Sequence, residues 1–427
     1  MIRFTKDNTI IKSDGFRAIL VGLQINEDIS RSMEELILLA EAAGGVAAGV
    51  MVQSKNAPER ATYLGAGKAE ELGDLCRNME ADTVICNDEL SGIQIRNLED
   101  IIGVRIIDRT ILILDIFASR AESKEGKLQV ELAQLQYRLP RMTGFGKALS
   151  RLGGGIGTRG PGEKKLETDR RHIARRMNEI RSELKRVAAQ RGVKRAKRRK
   201  NQMPVVALVG YTNSGKSAVM NCILKMTDQE NKAVIEKDML FATLDTYQRK
   251  IKLEDNKEFI LEDTVGFVSK LPHSLIQAFK ATLEDVGEAD LLLHIIDSSY
   301  EDSDFHMAVV EDVLSELGAS GKEIIRVFNK IDLLQGDELI EIIAPDNDSA
   351  AVSAKNGDNM HILLELIKKR LFDSYRLAEM LIPFNRGDIV SYLSEHTQIL
   401  VREYRENGTF IRVNLSQADY NRLSMYM

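Results

Sequence analysis

The chain has 427 residues, 44% of them hydrophobic, which suggests about three domains with proper cores. Its three cysteines, Cys76, Cys86 and Cys222, lack the spacing of a metal site, so we expect neither a disulfide framework nor a zinc site. The net charge is −5, the first residues lack the layout of a signal peptide, and the longest apolar stretch, Ala42 to Val52, is too short to span a bilayer, so we expect a cytoplasmic protein without stable membrane insertion.

Residues 1–118 alternate strand-like and helix-like runs. The strand-like runs are Ala18 to Ile25, Gly49 to Gln53, Thr83 to Asn87 and Val104 to Asp108, and the helix-like runs are Met33 to Ala43, Ala69 to Met79 and Ile93 to Ile101. This rhythm predicts an N-terminal α/β domain of βαβ units around a largely parallel sheet. The glycine turn Gly65-Ala66-Gly67-Lys68 is either a strand-to-helix loop or a second nucleotide or RNA contact, since Lys68 stands near a predicted helix start.

Residues 119–200 carry two apolar stripes at helical spacing, separated by a glycine-rich run. The first stripe consists of Leu128, Leu132, Leu135 and Leu139, and the second of Leu166, Ile173, Met177, Ile180, Leu184 and Val187. We expect an antiparallel αα-hairpin packed through these faces, with Pro140 ending its first helix. Ordering so many glycines costs much conformational entropy, so a loop of this kind normally becomes ordered on a partner.

The charge of this hairpin indicates its partner. From Lys164 to Lys200, sixteen lysines and arginines stand against four aspartates and glutamates, although the whole chain has a net charge of −5. Such a run is often only a solvated linker face. Together with the basic residues of the glycine loop, it instead favours contact with folded RNA, whose phosphates lysine and arginine neutralise. The residues expected at RNA are Arg141, Lys147, Arg151, Arg159 and Lys164.

Residues 201–372 combine strand-like runs with a phosphate-binding motif. The strands are expected at 205–209, 249–254, 258–263, 291–296, 324–329 and 349–353. The segment Gly210-Tyr211-Thr212-Asn213-Ser214-Gly215-Lys216-Ser217 directly follows the first strand and has the Walker A pattern. Its backbone N–H groups and Lys216 are expected to hold phosphates, and the Ser217 hydroxyl to ligate Mg²⁺. We therefore predict a Ras-like P-loop G domain, with a mixed sheet and helices on both faces.

Three further motifs follow in the order that a GTPase needs. Asp263-Thr264-Val265-Gly266 places an aspartate for Mg²⁺ and the Gly266 N–H for the γ-phosphate. Asn329-Lys330-Ile331-Asp332 places a carboxylate that accepts two hydrogen bonds from guanine, a donor pair that adenine lacks. Ser353-Ala354-Lys355 is expected to contact the guanine O6 through its backbone.

The expected switch I lies between the Walker A segment and Asp263. It is Phe241-Ala242-Thr243-Leu244-Asp245, and either Thr243 or the nearby Thr246 supplies a second hydroxyl to Mg²⁺.

The position after Gly266 is occupied by Phe267, where Ras-type enzymes carry the glutamine that orients the attacking water. A phenylalanine side chain cannot hydrogen-bond to water, so another group or an external partner must position it. The polar candidates nearby are Ser269, Lys270 and His273. We therefore assign no residue as the catalytic one and expect slow intrinsic hydrolysis. Lys216 and Gly266 are expected to stabilise the γ-phosphate.

Residues 373–427 are expected to form a small α+β domain, too small to fold alone and docked on the G domain. It contains a helical piece, Ile389 to Glu395, and two strand-like runs, Ile399 to Tyr404 and Thr409 to Asn414, joined by the turn Glu406-Asn407-Gly408.

Several of these motifs together resemble the HflX family of ribosome-associated GTPases. In the G domain they are 210–217, 241–245, 263–273 and 289–294, and outside it they are 61–68, 88–91, 149–163 and 166–171. The resemblance thus covers most of the chain. Lys164, Ser214 and Ala218 depart from the family's usual threonine, alanine and threonine, and none of these changes removes an expected nucleotide ligand.

The resemblance implies GTP as substrate and Thr243 as the switch I ligand of Mg²⁺, beside Ser217 and Asp263. It also implies binding to the 50S ribosomal subunit and the 70S ribosome, at 23S rRNA near the peptidyl-transferase centre, and separation of stalled or idle ribosomes under stress. We expect the protein to act as a monomer. The alternative is a regulatory GTP switch that engages another RNA or the anionic membrane surface without splitting ribosomes.

Overall fold

The structure of the protein is a computed structural model, which describes residues 15–142, 161–200, 203–227, 240–241, 247–271, 286–334, 348–373 and 375–427. For 161–166, 191, 193–200 and 418 it describes the backbone only. The chain forms two compact units. The first contains Met1–Arg195, Lys237–Asp245 and Val268–Thr282, and the second contains Ala196–Glu236, Thr246–Phe267 and Leu283–Met427. The division into four domains stays a prediction.

The first unit is built on four parallel strands. They are β1 (Arg17–Gln24), β2 (Val46–Ser54), β3 (Thr83–Cys86) and β4 (Arg105–Asp108), in the order β2-β1-β3-β4. The connecting helices are α1 (Ser30–Ala42), α2 (Ala66–Asn78) and α3 (Gly92–Ile102), as the alternating pattern predicts. All residues from Ala18 to Leu23 are buried, because a parallel sheet is covered on both faces.

The ends of helix α3 are determined by the residues that flank it. The Ser91 side chain accepts a hydrogen bond from the Gln94 N–H, and the Gln94 side chain accepts one from the Ser91 N–H, which makes a capping box. Gly103, at φ 82°, ends the helix in the left-handed conformation that glycine adopts without strain. The loop from Asn87 to Leu90, which leads from β3 to this helix, lies at the carboxyl end of β3.

The predicted hairpin is present in the first unit. After α4 (Arg109–Arg120), helix α5 (Lys124–Arg141) packs against the long helix α6 (Pro161–Lys200). The core between them consists of Leu128, Leu132, Met177 and Ile180, with Leu135, Leu139, Ile173 and Leu184 packed against it. The two apolar stripes read from the sequence therefore face each other.

Ion pairs across the hairpin show its direction. Lys124 pairs with Glu183 at 3.2 Å, and Glu131 pairs with Arg176 at 2.7 Å, so the two helices run antiparallel. Helix α5 continues one residue beyond Pro140 and ends at Arg141. The expectation that Pro140 ends the helix is therefore wrong by one residue, because the missing N–H of proline removes a single i→i−4 hydrogen bond in the last turn and does not stop the next residue from being helical.

The second unit contains a six-stranded sheet. Its strands are β5 (Val205–Gly210), β6 (Tyr247–Lys252), β7 (Glu258–Asp263), β8 (Leu291–Asp297), β9 (Ile324–Asn329) and β10 (Ser349–Ala351), in the order β10-β9-β8-β5-β7-β6. All pairs are parallel except β6 with β7. Helices α7 (Lys216–Met226), α8 (Ser303–Glu316) and α9 (Met360–Phe372) accompany it. This is the mixed sheet of a Ras-like G domain.

The chain ends in a small antiparallel sheet, also within the second unit. Strands β11 (Arg376–Ile382), β12 (Ile399–Arg405) and β13 (Gly408–Leu415) are ordered β11-β13-β12, with helices α10 (Gly387–His396) and α11 (Gln417–Leu423). The sequence predicted only β12, β13 and α10. Strand β11 was missed because apolar Leu377 and Leu381 lie on its exposed face, which obscures the alternation of a half-buried strand.

Within the described residues, no helix combines the length and the apolar character needed to cross a bilayer.

Candidate nucleotide-binding site

The loop from Gly210 to Ser217 connects β5 to α7 at the carboxyl edge of the second sheet, and its glycines stand where a side chain cannot fit. A Cβ on Gly210 would lie 2.3 Å from the Ile295 carbonyl oxygen. Gly215 has φ 93°, and a Cβ there would lie 2.2 Å from Nδ2 of Asn329. The backbone of this loop is therefore packed directly against β8 and β9, as a phosphate-binding loop requires.

Lys216 opens helix α7 and is buried. Its Nζ donates hydrogen bonds to the carbonyl oxygens of Tyr211 and Gly210, at 2.7 and 3.2 Å. Burial lowers the pKa of Lys216 to about 8 against the opposing effect of the Asp263 carboxylate, and the positive charge of Lys330 contributes to this lowering. A buried ammonium group in this setting is well placed to bind an anion, because little of its hydration remains to be lost.

A hydroxyl and a carboxylate meet beside this lysine. The Ser217 Oγ donates to Oδ2 of Asp263 at 2.6 Å, which joins the start of α7 to the end of β7. Thr264 donates its own hydroxyl to the Leu208 carbonyl oxygen at 2.6 Å, which holds the segment after β7 to β5. Hydroxyl and carboxylate oxygens are the ligands that Mg²⁺ prefers, so this pair fits the predicted metal site.

The segment after Asp263 is bonded to the phosphate-binding loop through its backbone. The Thr212 N–H donates to the Phe267 carbonyl oxygen at 2.7 Å, and the Phe267 N–H donates to the Gly210 carbonyl oxygen at 3.2 Å. A Cβ on Gly266 would lie 2.7 Å from Cα of Thr212 and 3.0 Å from Nζ of Lys216. The side chain of Phe267 is buried, so this residue serves as an anchor for the chain rather than as a water ligand.

The two motifs expected at guanine are joined by side-chain hydrogen bonds. Asn329 donates through Nδ2 to the Ser214 carbonyl oxygen and accepts through Oδ1 from the Ala354 N–H, both at 3.0 Å. The Ser353 hydroxyl donates to Oδ1 of Asp332 at 2.7 Å. The phosphate-binding loop, the Asn-Lys-Ile-Asp motif and the Ser-Ala-Lys motif therefore converge at one edge of the sheet.

Sequence reasoning missed two contacts at this edge. Asp297, the last residue of β8, accepts from Nζ of Lys330 at 2.6 Å. The sequence could have indicated this residue, because an acidic residue directly follows the apolar run of β8. The ring of Tyr211 stacks on His306 with centroids 3.8 Å apart, and Tyr300 stacks on the same imidazole at 4.2 Å. No local pattern indicates that stack.

Several predicted residues are placed differently or lie elsewhere. Phe241 belongs to the first unit and contacts the Phe117 ring edge to face, with centroids 4.6 Å apart. Arg141 donates to the carbonyl oxygens of Leu90 and Tyr137, each at 2.9 Å, so its contact with RNA stays a prediction. The residues outside the described ranges are Ala242, Thr243, Leu244, Asp245, Thr246, His273, Lys147, Arg151 and Arg159, and Lys164 lies where only the backbone is described.

Comparison with known proteins places the chain among GTPases. Three family models match it in succession: one described as GTP-binding GTPase N-terminal over residues 30–118, one as GTP-binding GTPase Middle Region over 120–198, and one as 50S ribosome-binding GTPase over 205–330.

Relatives called GTPase HflX match nearly the whole chain. That of Caldanaerobacter subterraneus subsp. tengcongensis is 49% identical over 404 residues, which cover 94% of this chain and 92% of the relative. That of Lacrimispora saccharolytica is 43% identical, with 92% of each chain covered. That of Escherichia coli strain K12 is 39% identical, with 96% of each chain covered.

Proposed function

The chain belongs to the HflX family of P-loop GTPases, and we propose that it is a cytoplasmic, Mg²⁺-dependent GTPase that binds the large ribosomal subunit and separates stalled or idle 70S ribosomes under stress. The observation that supports the nucleotide part of this proposal is the convergence of three motifs at the carboxyl ends of the parallel strands of the six-stranded sheet, where open α/β sheets bind their ligands.

In this proposal, the chain's own residues bind and orient GTP. The backbone of 210–217 and Nζ of Lys216 hold the phosphates, and the Gly266 N–H contacts the γ-phosphate. Ser217, Asp263 and Thr243 are the residues that would hold Mg²⁺, which supplies positive charge to phosphate oxygens when bound. The Asp332 carboxylate, oriented by the Ser353 hydroxyl, accepts from guanine.

The missing glutamine makes hydrolysis dependent on a partner. The buried Phe267 offers only its backbone, and both of its backbone groups are bonded to the phosphate-binding loop. We expect 50S subunits to raise the rate of phosphate release at least about tenfold, because the group that positions water must be supplied or assembled in the complex. A phosphate-release assay with and without 50S subunits measures this, and an equally fast rate without ribosomes would contradict it.

The ribosome part of the proposal is supported by the hairpin of α5 and α6. Its described core is apolar and short, while Lys164 to Lys200 carries sixteen basic against four acidic residues. A rigid helical pair of this charge is suited to neutralising RNA phosphates. The family model described as 50S ribosome-binding GTPase supports the same partner.

Sedimentation of ribosomes with the protein and a non-hydrolysable GTP analogue tests this proposal. We expect 70S ribosomes to separate into subunits, with the protein on the 50S particle. Replacing Arg151, Arg159 and Lys164 by alanine should weaken binding and lower the salt slope by about 2–3, since about one phosphate contact is lost per residue. GTP affinity should stay unchanged.

A triple alanine variant of Arg402, Arg405 and Arg412 is the matched control, because it removes the same charge from the C-terminal sheet. If both triple variants lose ribosome binding equally, the hairpin has no special role. If the protein binds RNA but leaves 70S ribosomes intact, the alternative of a regulatory switch is favoured.

A further inference from the structure

A stack of three rings lies beside the phosphate-binding loop. The imidazole of His306 lies between the rings of Tyr211 and Tyr300, with centroid distances of 3.8 and 4.2 Å and interplanar angles of 15° and 18°. The rings come from the loop after β5, the turn after β8 and the helix α8, all within the second unit. Rings this close are in van der Waals contact over their faces, and such a pair adds to the stability that burial alone provides.

Tyr211 is the member of this stack that belongs to the nucleotide site. It is the only aromatic residue between Gly210 and Ser217, and it is 6% exposed. Its carbonyl oxygen accepts hydrogen bonds from Nζ of Lys216 at 2.7 Å and from the Ser214 N–H at 3.3 Å. The position of Tyr211 therefore determines where the ammonium group of Lys216 is held.

The backbone of the loop does not by itself require this arrangement. Positive φ angles occur at Gly210 (156°), Asn213 (62°) and Gly215 (93°). Glycine adopts many other conformations equally well, so a loop of this composition has alternatives of similar free energy. A bulky ring that is held from outside the loop disfavours the alternatives that move Tyr211. His306 holds this ring from a regular helix, α8.

We propose that His306 is a positioning residue for nucleotide binding, which acts by stacking on Tyr211. The stack favours the loop arrangement in which the Tyr211 carbonyl oxygen bonds to Lys216. A ligand that binds only this arrangement gains affinity by the factor by which the stack favours it, and a stacked pair can shift such an equilibrium by about tenfold. This inference rests on the proposed contact between Lys216 and the phosphates.

The test variants remove or keep the ring at position 306 in the full-length protein. His306→Ala removes the ring but favours the helix, and His306→Phe keeps a flat ring without the imidazole nitrogens. His361→Ala is the matched control, because His361 is an exposed histidine on α9 in the same unit. Calorimetric titration gives the dissociation constants for GTP and GDP, and the single-turnover rate of hydrolysis is measured at saturating GTP.

We expect His306→Ala to raise both dissociation constants about tenfold, because the loop holds the phosphates that GTP and GDP share. His306→Phe and His361→Ala should stay within about twofold of the wild type. The rate at saturating GTP should also stay within about twofold in His306→Ala, since bound nucleotide already selects the competent loop. Tyr300→Ala removes only the outer ring of the stack and should raise both constants about threefold.

Thermal unfolding shows whether each variant is folded, and Tyr300→Ala decides the question if His306→Ala is not. Unchanged nucleotide affinity in the folded variant would overturn the inference. Binding by His306→Phe that is as weak as binding by His306→Ala would also overturn it, because the ring would then not be the cause.

Lys216→Ala separates failure of the inference from failure of the site assignment. If folded Lys216→Ala binds GTP normally, the assigned phosphate contact is wrong and the inference fails with it. If Lys216→Ala loses GTP while folded His306→Ala binds it as tightly as the wild type, the site assignment stands and the stack has no positioning role.

Discussion

The parallel sheet of the first unit and the mixed sheet of the second present opposite chemistry at the same kind of edge. The carboxyl edge of the second sheet is made of glycine backbone, at positions where a Cβ would collide with neighbouring chain. The carboxyl edge of the first sheet is made of long charged side chains, with Arg109 and Glu35 at its centre. Both of these residues bond to Ser269 of the same unit. The edge of the second sheet suits a compact polyanion, and the edge of the first suits a peptide segment. The residues at the edge therefore determine which ligand binds, and the sheet only brings those residues together.

The largest effect should follow from removing the cation of the second edge. We expect Lys216→Ala to weaken GTP binding by at least about 1000-fold, because it deletes a buried ammonium group at the phosphates. Binding of a fluorescent GTP analogue measures this, with Lys225→Ala, an exposed lysine of the same helix, as the control. Hydrogen exchange of 268–271 should not change, since the first edge holds that segment. Faster exchange of 268–271 in Lys216→Ala would show that the first edge alone does not hold this segment.

A smaller effect is expected from the base-reading carboxylate. Asp332→Asn replaces one acceptor oxygen by a donor, so two hydrogen bonds from guanine can no longer both form. We expect GTP affinity to fall about 100-fold, since hydrogen bonds to charged groups contribute about 1.5–3 kcal/mol each. Titration with GTP, ATP and xanthosine triphosphate shows whether selection is relaxed, and Asp304→Asn controls for loss of an exposed aspartate. Unchanged affinity for GTP, with the other two still excluded, would remove Asp332 from the site.

Lowering the pH should change the stability of the two units in opposite directions, and this effect should be smaller than the two above. Burial lowers the pKa of His294 on β8 to about 4, with the positive charges of Arg326 and Lys216 adding to the shift, so the unfolded state takes up a proton below pH 6.5 while the folded state does not. Burial raises the pKa of Asp115 on α4 to about 6, against the pull of Arg105, so the folded state takes up its proton first. As the pH falls from 6.5 to 4, His294 destabilises the second unit and Asp115 stabilises the first.

Each contribution should be on the order of 1 kcal/mol. Hydrogen exchange of β8 and of α4, corrected for the intrinsic rate at each pH, measures the two units separately. Replacing His294 by leucine should remove the acid sensitivity of β8, while the same change at the exposed His361 should leave it. If β8 in the wild type is equally protected at pH 6.5 and 4.5, the histidine does not contribute in this way.

Local patterns predicted the second edge well. The strand limits at 258–263 and 324–329 agree with β7 and β9, and the glycine loop lies where the Walker A spacing put it. These features depend on residues that are neighbours in the chain, namely an apolar run followed by glycines. The hairpin was predictable for the same reason, because a stripe at helical spacing requires a second stripe to cover it.

The first edge could not be predicted because its partners are remote in the chain. Glu35 and Arg109 are 74 residues apart, and Arg109 and Ser269 are 160 apart. Each residue taken alone looks like an ordinary charge on a helix or a loop. Only the order of the strands brings them together, and no spacing in the sequence encodes it. The sequence did single out Ser269 and Lys270, but as candidates for positioning water.

The two hydrogen bonds of Asn329 have a consequence for redesigning this protein. Its amide joins the loop at Ser214 to the loop at Ala354, so one side chain contributes to holding both the part expected at the phosphates and the part expected at the base. A change of nucleotide preference must therefore be sought at Asp332 with Asn329 left intact. Any substitution at 329 would lower the affinity for the nucleotide along with any change in base selectivity. A library randomised at both positions would therefore lose nucleotide binding before a variant with a new base preference could be selected.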